Sequence, residues 1–517
     1  MDPTEPAPTP QAVSTLQLPG QGSRRVPWAS ATALLLCLGV AFGVYGTNLN
    51  DYFLGDDFDL IVSFYRAPPS YFFELLYSNE SGTVWSNLGI DSAHGQGYLR
   101  PLKIWLLKLD LWAWGPRPLG FHLTATLLFG LLLFATCRLV DLAVPGRREF
   151  ALLAAALVGI HPVFAEIVPF LTAREETLAA LFVVAALVAL LSHRQRGSSP
   201  LWFTLSLALG LMSKESAIVA VPLALGWDLV QGHLRPRRQQ LRAALRLYGP
   251  ALALLAVYFA LRWKAFGNPL GGGGETTTFL SVSAFLGFHA VLLPSLVAPG
   301  MFALWRIPHV GWMLAALALL ATVVAVGRSD PNRRRALLFF GPVWYLGATS
   351  ILHGTYRSHR HDALIVVGLC SFAAVLLLAL SDRLASRVRL GVAVAALAVA
   401  APAFLPPTFW MARRFHEASR TVSDMRARIE AETARVPDGA VILIQGVPQQ
   451  ILPPYYFGWG LVSSLKRPFT ATDVGNRTLV VNRHNRRMTK SRILVPKAYT
   501  LRLNLLKPPP APSPPPD

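Results

Sequence analysis

The chain has 517 residues, 53% hydrophobic and only 15% charged, with a formal net charge of +20 and a mean hydropathy of +0.42. Apolar segments of roughly 17–25 residues recur from Pro27 to Pro407, each about long enough to cross a ~30 Å hydrocarbon core, so an ordinary water-soluble enzyme is excluded in favour of a polytopic membrane protein. The three cysteines, Cys37, Cys137 and Cys370, all fall in apolar runs, which excludes a disulfide framework or a zinc-binding spacing.

Residues 1–26 are rich in Pro, Thr, Gln and Gly, end near Arg24-Arg25, and read as a disordered cytoplasmic N-terminus. The run that follows is too long for a cleaved signal peptide and lacks a small-residue cleavage site, so it reads as a signal anchor. Basic residues cluster at Arg147/Arg148, Arg194/Arg196, Arg235/Arg237/Arg238/Arg242, Arg333–Arg335 and Arg383/Arg387/Arg389. Placing every cluster on the cytoplasmic side gives about eleven spans, near 27–48, 119–140, 150–168, 174–192, 200–213, 216–232, 246–263, 308–327, 336–352, 362–381 and 388–407. The C-terminal region is then extracytoplasmic. The stretch 279–305, with Pro294 and Pro299, reads either as an interfacial or re-entrant segment, which leaves this topology unchanged, or as a span, which inverts everything after it.

The loop after the first span, 47–118, is long and carries amphipathic stretches. They are Phe53, Leu54, Phe58, Ile61 and Phe64, then Tyr71, Phe72, Leu75 and Leu76, then Leu102 to Trp114. Aromatic faces beside charge suit helices lying in the headgroup zone. Beyond Pro407, Met411, Phe415, Ala418, Val422, Met425 and Ile429 mark one helical face. Ala440–Gln445, Leu479–Asn482, Ile493–Val495 and Tyr499–Leu505 read as short strands. Residues 408–506 are therefore expected to form a small α/β domain, followed by a Pro-rich tail, 507–517. Residues 408–517 hold 17 Lys and Arg against seven Asp and Glu. Anionic lipid headgroups suit that excess better than nucleic acid in a membrane protein.

With this topology the unusual polar residues share one membrane face: Asp56, Asp57 and Asp59; Tyr98 and Arg100; His161 and Glu166; Arg174, Glu175 and Glu176; Lys214 and Glu215; Arg357, His359, Arg360, His361 and Asp362. Each has a plainer reading. Aspartates sit in solvated loops, glutamates favour helix starts, lysines snorkel, and His-Pro ends helices. The histidines at 359 and 361 hint at metal, but no second cluster has ligand spacing. Convergence of six segments on one surface is what an enzyme cavity needs and a structural bundle does not.

The stretches Gly55-Asp-Asp-Phe, Tyr98-Leu-Arg-Pro-Leu, His161-Pro-Val-Phe-Ala-Glu-Ile-Val with Ala173-Arg-Glu-Glu-Thr-Leu-Ala, and Leu211-Met-Ser-Lys-Glu-Ser occur in one order. On these residues the chain resembles the GT-C glycosyltransferases of the protein O-mannosyltransferase type. It is most like the membrane half of the transmembrane and tetratricopeptide-repeat O-mannosyltransferases, over about 27–407. Leu99 interrupts the family's Tyr-Arg-Pro-Leu. The later aromatic-rich stretch is replaced by His359-Arg-His-Asp-Ala-Leu-Ile, and no tetratricopeptide repeats follow.

The resemblance implies an all-α polytopic, GT-C-like enzyme that moves a sugar, mannose in the family named, from a polyprenyl-phosphate carrier to a hydroxyl acceptor. Transfer would occur with inversion on the periplasmic or lumenal side of a bacterial inner membrane or endoplasmic reticulum. An acidic residue of the first outer loop serves as base. Asp56 or Asp57 fits, and Asp56 ranks first by analogy with family members whose first acidic residue acts. Arg100, Arg174, Lys214 and Arg360 are the cations for the leaving phosphate. Glu166, Glu175 and Glu215 orient them or bind sugar hydroxyls, and Tyr98, His161 and His361 complete the substrate-binding set. The partners are the lipid-linked sugar as co-substrate, a protein, lipid or glycan hydroxyl, and membrane lipid, with no nucleic acid. No cofactor is required, and a divalent metal stays open. The competing readings are a transporter or flippase of lipid-linked sugar, for which no internal repeat is visible, and a non-catalytic scaffold.

Overall fold

A chain crossing hydrocarbon has to satisfy each backbone N–H and C=O within its own segment, and the apolar runs accordingly become helices. The computed structural model describes residues 27–65, 67–68, 70–78, 98–234, 238–267, 269, 289, 292, 296, 320–350, 359–436, 441–445, 454, 456–457, 460–471, 473–481 and 498–502. Among the described residues six helices are long and apolar enough to cross a membrane: Ser30–Asn48, Pro118–Ala143, Leu171–Arg196, Arg242–Phe266, His359–Ser381 and Ser386–Thr433. The expected N-terminal tail, Pro-rich tail, most of 279–305 and the start of the 308–327 span lie outside the described residues.

The bundle is built from α1 (Pro27–Tyr45), α2 (Asp56–Tyr65), α3 (Pro101–Trp114), α4 (Pro118–Ala143), α5 (Arg148–Ile160), α6 (Arg174–Arg196), α7 (Leu201–Ser213), α8 (Ala220–Gln231) and α9 (Arg238–Phe266). It continues with α10 (Pro331–Leu338), α11 (Trp344–Thr349), α12 (Ala363–Ser381), α13 (Ser386–Thr433) and α14 (Leu461–Ser464). A π-turn at Phe339–Val343 joins α10 to α11 where Pro342 withholds an N–H. The centre is α4, which packs against α1, α5 and α6, while α6 lies against α7 and α12 against α5. Phe121, Phe129, Phe150, Phe164 and Leu187 fill that centre with no exposed surface.

Several basic clusters gather at the end of the bundle where α6 finishes. Arg147 and Arg333 both meet Asp382, Arg389 meets Glu149 at 3.4 Å, and Arg194 pairs with the fully buried Asp228, which also accepts from Tyr248 at 2.8 Å. The chain segments 162–173, 214–219 and 359–362 lie between helices at the other end.

Two elements differ from their sequence expectation. The last span and the amphipathic helix after it are one helix: α13 runs 48 residues through Pro402, Pro406 and Pro407. The Thr408 hydroxyl lies 2.7 Å from the Phe404 carbonyl and 2.8 Å from that of Ile160, tying α13 to α5 just beyond the prolines. The apolar face of helix α2 is covered by protein. Phe58, Leu60, Ile61 and Phe64 are buried, because Phe58 packs between Phe457 and Phe469 of the C-terminal region and Lys108 of α3 donates to the Phe64 and Tyr65 carbonyls. Helix α3 does keep an apolar outer face, with Leu109, Trp112 and Trp114 exposed.

After α13 come three parallel strands, β1 (Val441–Gln445), β2 (Thr478–Val481) and β3 (Ala498–Arg502), in the order β2-β1-β3. Leu443 pairs with Leu479 on one side and Thr500 on the other. The anticipated strand at 493–495 lies outside the described residues.

One buried ion pair fixes how α6 enters the bundle. Arg174, 1% exposed, contacts Asp110 of α3 at 2.6 Å and donates to the Phe121 carbonyl of α4 at 2.8 Å. Asp110 also accepts from Thr124 at 2.7 Å. Removing one member of a buried pair strands its partner, so Arg174→Met is expected to destabilise the protein by about 3–5 kcal/mol. The double variant Arg174→Met/Asp110→Leu should recover most of the loss. Thermal melting of the detergent-solubilised variants measures both.

Candidate active site

Helix α2 begins with three aspartates in its first turn, Asp56, Asp57 and Asp59, where the helix dipole favours negative charge. The fold gives them different surroundings. Asp57 is buried: Oδ1 accepts from the Thr172 backbone N–H at 2.8 Å and hydroxyl at 2.7 Å, and Oδ2 accepts from the Leu54 N–H at 3.1 Å. Burial still outweighs those bonds and pushes its carboxyl up to about 7. Asp59 is buried against the C-terminal region, accepts from the Ser463 hydroxyl at 2.5 Å, and is likewise pushed by burial to about 7.

Asp56 alone of the three is open to solvent. Desolvation by its neighbours nevertheless raises its pKa, so it holds a proton more tightly than an aspartate in water. Arg360 and Lys103 pull against that rise and Glu175 adds to it, which places all three within electrostatic reach of Asp56.

Near Asp56 lies a connected set of charges from five chain segments. Glu175, in the first turn of α6, accepts from Arg100 Nη1 at 2.5 Å and contacts Lys103 Nζ at 2.8 Å. Arg100 also donates through Nε at 3.1 Å and Nη2 at 2.5 Å to the two oxygens of Glu215, a fork-to-carboxylate pair. Its guanidinium lies 4.0 Å from the centre of the Tyr98 ring, a cation–π contact. Lys214 pairs with Glu176, whose Oε1 is 3.6 Å from His361 Nε2. Burial would raise the Glu215 carboxyl, but Arg100 and then Lys214 outweigh it and hold the group at about 2. Glu166 is raised by burial, partly offset by Arg360.

Of the residues singled out in the sequence, Asp56, Tyr98, Arg100, Glu166, Glu175, Lys214, Glu215, Arg360 and His361 are brought to this one region. Three stand differently. Asp57 is a structural clasp between α2 and Thr172. Both amino groups of Arg174 are committed to α3 and α4, as described above. His161 is buried at the end of α5, with Nε2 donating to the Leu296 carbonyl at 2.8 Å and Nδ1 accepting from the Val163 N–H at 3.3 Å. Arg357 lies outside the described residues.

The fold also adds residues that sequence reading passed over. Lys103 stands one helical turn after Arg100, and that i, i+3 spacing at a Pro-initiated helix start was a usable signal. Tyr258 of α9 lies within electrostatic reach of Glu215 and Arg100, and its hydroxyl is 3.2 Å from Arg262 Nη1. No motif marked that pair. Among the described residues no group of three or more His, Cys, Asp or Glu side chains is disposed to hold a metal ion.

The chain is 28% identical over 213 residues to protein O-mannosyl-transferase TMTC1 of Mus musculus, covering 39% of this chain and 22% of that protein. It is 30% identical over 192 residues to Tmtc1 of Drosophila melanogaster, covering 36% and 21%. This chain is similar to the protein O-mannosyl-transferases. It spans about a fifth of the length of these curated relatives, and no family model matches it. Among solved structures, apo ArnT from Cupriavidus metallidurans aligns with 87% of this chain and 88% of its own length, at 15% identity and a TM-score of 0.46.

The burial of Asp57 has a consequence for pH. Its carboxyl ionises near 3.8 in an unperturbed setting and at about 7 here, so between those values the folded chain keeps a proton that the unfolded chain releases. Stability therefore falls as pH rises through that window. Asp57→Asn lacks this titration but loses one of the acceptors Asp57 provides. Its melting temperature should lie below that of the parent at the acid end, and the gap should narrow towards neutral pH. A gap that widened instead would contradict the assignment.

Proposed function

We propose that this chain is an integral-membrane inverting glycosyltransferase that takes a sugar from a polyprenyl-phosphate carrier and passes it to a hydroxyl acceptor at the extracytoplasmic face. The observation that carries the reading is Asp56: a solvent-open carboxylate within electrostatic reach of Lys103 and Arg360, beside the buried ion pairs of Arg100, Lys103 and Lys214. The sequence likeness to protein O-mannosyl-transferases supports the reaction class and favours mannose as the sugar.

In this mechanism Asp56 takes the proton of the acceptor hydroxyl as that oxygen attacks the anomeric carbon. The bond from the carbon to the phosphate oxygen breaks on the opposite face, and the electron pair leaves with the polyprenyl phosphate. Desolvation raises the pKa of Asp56, which makes it a stronger proton acceptor than an aspartate in water. The departing phosphate requires positive charge. Arg100 supplies it through the fork that now faces Glu215, and Lys214 and Arg360 complete the cradle. Glu215 is the carboxylate best placed to yield, because 37% of its side chain is exposed while Glu175 and Glu176 are buried. The exposed aromatic face of α3 gives the prenyl chain an apolar surface at the membrane boundary.

The test is incubation of the purified protein with a panel of labelled polyprenyl-phosphate sugars and a mixed hydroxyl acceptor pool, with mass spectrometry of the products. Asp56→Asn is expected to abolish transfer while insertion and binding of polyprenyl phosphate persist. Full activity in that variant would remove the base. Glu215→Gln is expected to tighten polyprenyl phosphate binding and to increase product inhibition, because a neutral amide competes poorly for Arg100. Weaker binding would show that Glu215 supports the lipid phosphate instead of standing in its place.

A further inference from the structure

We infer that C-terminal residues Tyr456, Phe457 and 460–470 are a positioning part of the active site, setting the backbone from which Asp56 projects. This rests on the reading of Asp56 as the base and goes beyond it, because the sequence likeness describes a membrane core and assigns this segment nothing.

The contacts fall on both sides of Asp56. The Gly55 N–H donates to the Tyr456 carbonyl at 2.7 Å. Gly55 has φ +50°, in the left-handed region that glycine enters without steric cost, and this turn aims the start of α2. Gly460 lies directly against it: a Cβ at position 460 would sit 2.1 Å from the Gly55 carbonyl oxygen. One turn further on, Ser463 donates to Asp59 at 2.5 Å. Phe457 stacks on Phe58 with ring centres 6.2 Å apart, and Phe469 meets Phe58 edge-on at 5.0 Å and Phe53 at 5.3 Å. Positions 53, 55, 58 and 59 are thus all held by the C-terminal segment.

The segment is anchored in turn. Arg426 of α13 donates to the Phe469 carbonyl at 3.1 Å, and the Gly475 N–H donates to the Leu465 carbonyl at 2.9 Å just before β2. On the opposite side Asp57 grips Thr172 at the entry to α6. The base is therefore clamped between the membrane bundle and the C-terminal region. Displacing a reacting group by about 1 Å can cost ~100-fold in rate, so a clamp of this kind acts on turnover without touching substrate.

The experiment compares Gly460→Ala, Ser463→Ala and Ser463→Thr in the full chain, using the donor that supports turnover by the parent protein and polyprenyl phosphate as the binding probe. Gly460→Ala pushes on the Gly55 carbonyl, and Ser463→Ala deletes one hydrogen bond to α2 without steric change. Both are expected to lower kcat, by about 10- to 100-fold for Gly460→Ala, with donor KM and polyprenyl phosphate binding unchanged. Both should also move the acid limb of the pH–rate profile, which reports the base. Ser463→Thr keeps the hydroxyl and should restore the parent kcat and limb. Parent-like kcat and pH profile in both Gly460→Ala and Ser463→Ala would overturn the inference. If Gly460→Ala fails to fold, the Ser463→Ala and Ser463→Thr pair decides alone. Failure of the underlying reading looks different: Asp56→Asn would then retain transfer whatever the Ser463 variants do.

Discussion

Burying a charge in a low-dielectric interior costs several kcal/mol unless a partner is buried with it, and at the site end of this bundle Glu175 meets that requirement for two cations at once. One oxygen receives Arg100 and the other Lys103, so the start of α3 is locked to the entry of α6. Arg100 then reaches Glu215 on the turn between α7 and α8, and Lys214 on the same turn reaches Glu176. The network holds together three chain segments that are distant in sequence. It also leaves a charged wall beside an otherwise apolar bundle.

The same physics sorts the three aspartates at the start of α2. Asp57 and Asp59 are buried and each accepts hydrogen bonds that tie α2 to a neighbour, Thr172 in one case and Ser463 in the other. Asp56 precedes them both, but the helical turn leaves it open to solvent, within electrostatic reach of Lys103, Arg360 and Glu175. Adjacent carboxylates thus stand differently: two are tied to neighbouring segments and one is left open to solvent on a backbone the other two hold.

Anchorage of α2 also explains why the C-terminal region matters to the membrane core. Helix α13 continues about 72 Å at 1.5 Å per residue, well past any hydrocarbon thickness, and carries the chain out to where Tyr456, Phe457 and 460–470 fold back on α2. Asn48 Nδ2 donates to Asp51 and to the Ala412 carbonyl, and His416 contacts Asp51 at 2.6 Å, so the first loop is bound to α13 before it reaches Asp56.

The sequence by itself determined the helices and the end of the bundle at which polar residues gather, because span length, hydrophobic run and basic clusters are local properties of the chain. It also marked Asp56, Arg100, Glu175, Lys214 and Glu215, which stand out as charge among apolar residues. Only the family analogy ranked Asp56 above Asp57, since both are the same residue type in the same helical turn. Nor could the sequence tell that Lys103 joins the Glu175 network while Arg174 is claimed by Asp110. The continuity of α13 through its three prolines and the grip of Gly460 and Ser463 on α2 were equally hidden. Those distinctions depend on which groups meet across more than 400 residues of chain, as Ser463 meets Asp59, and only the packed structure decides whether such a meeting leaves a carboxylate occupied or open.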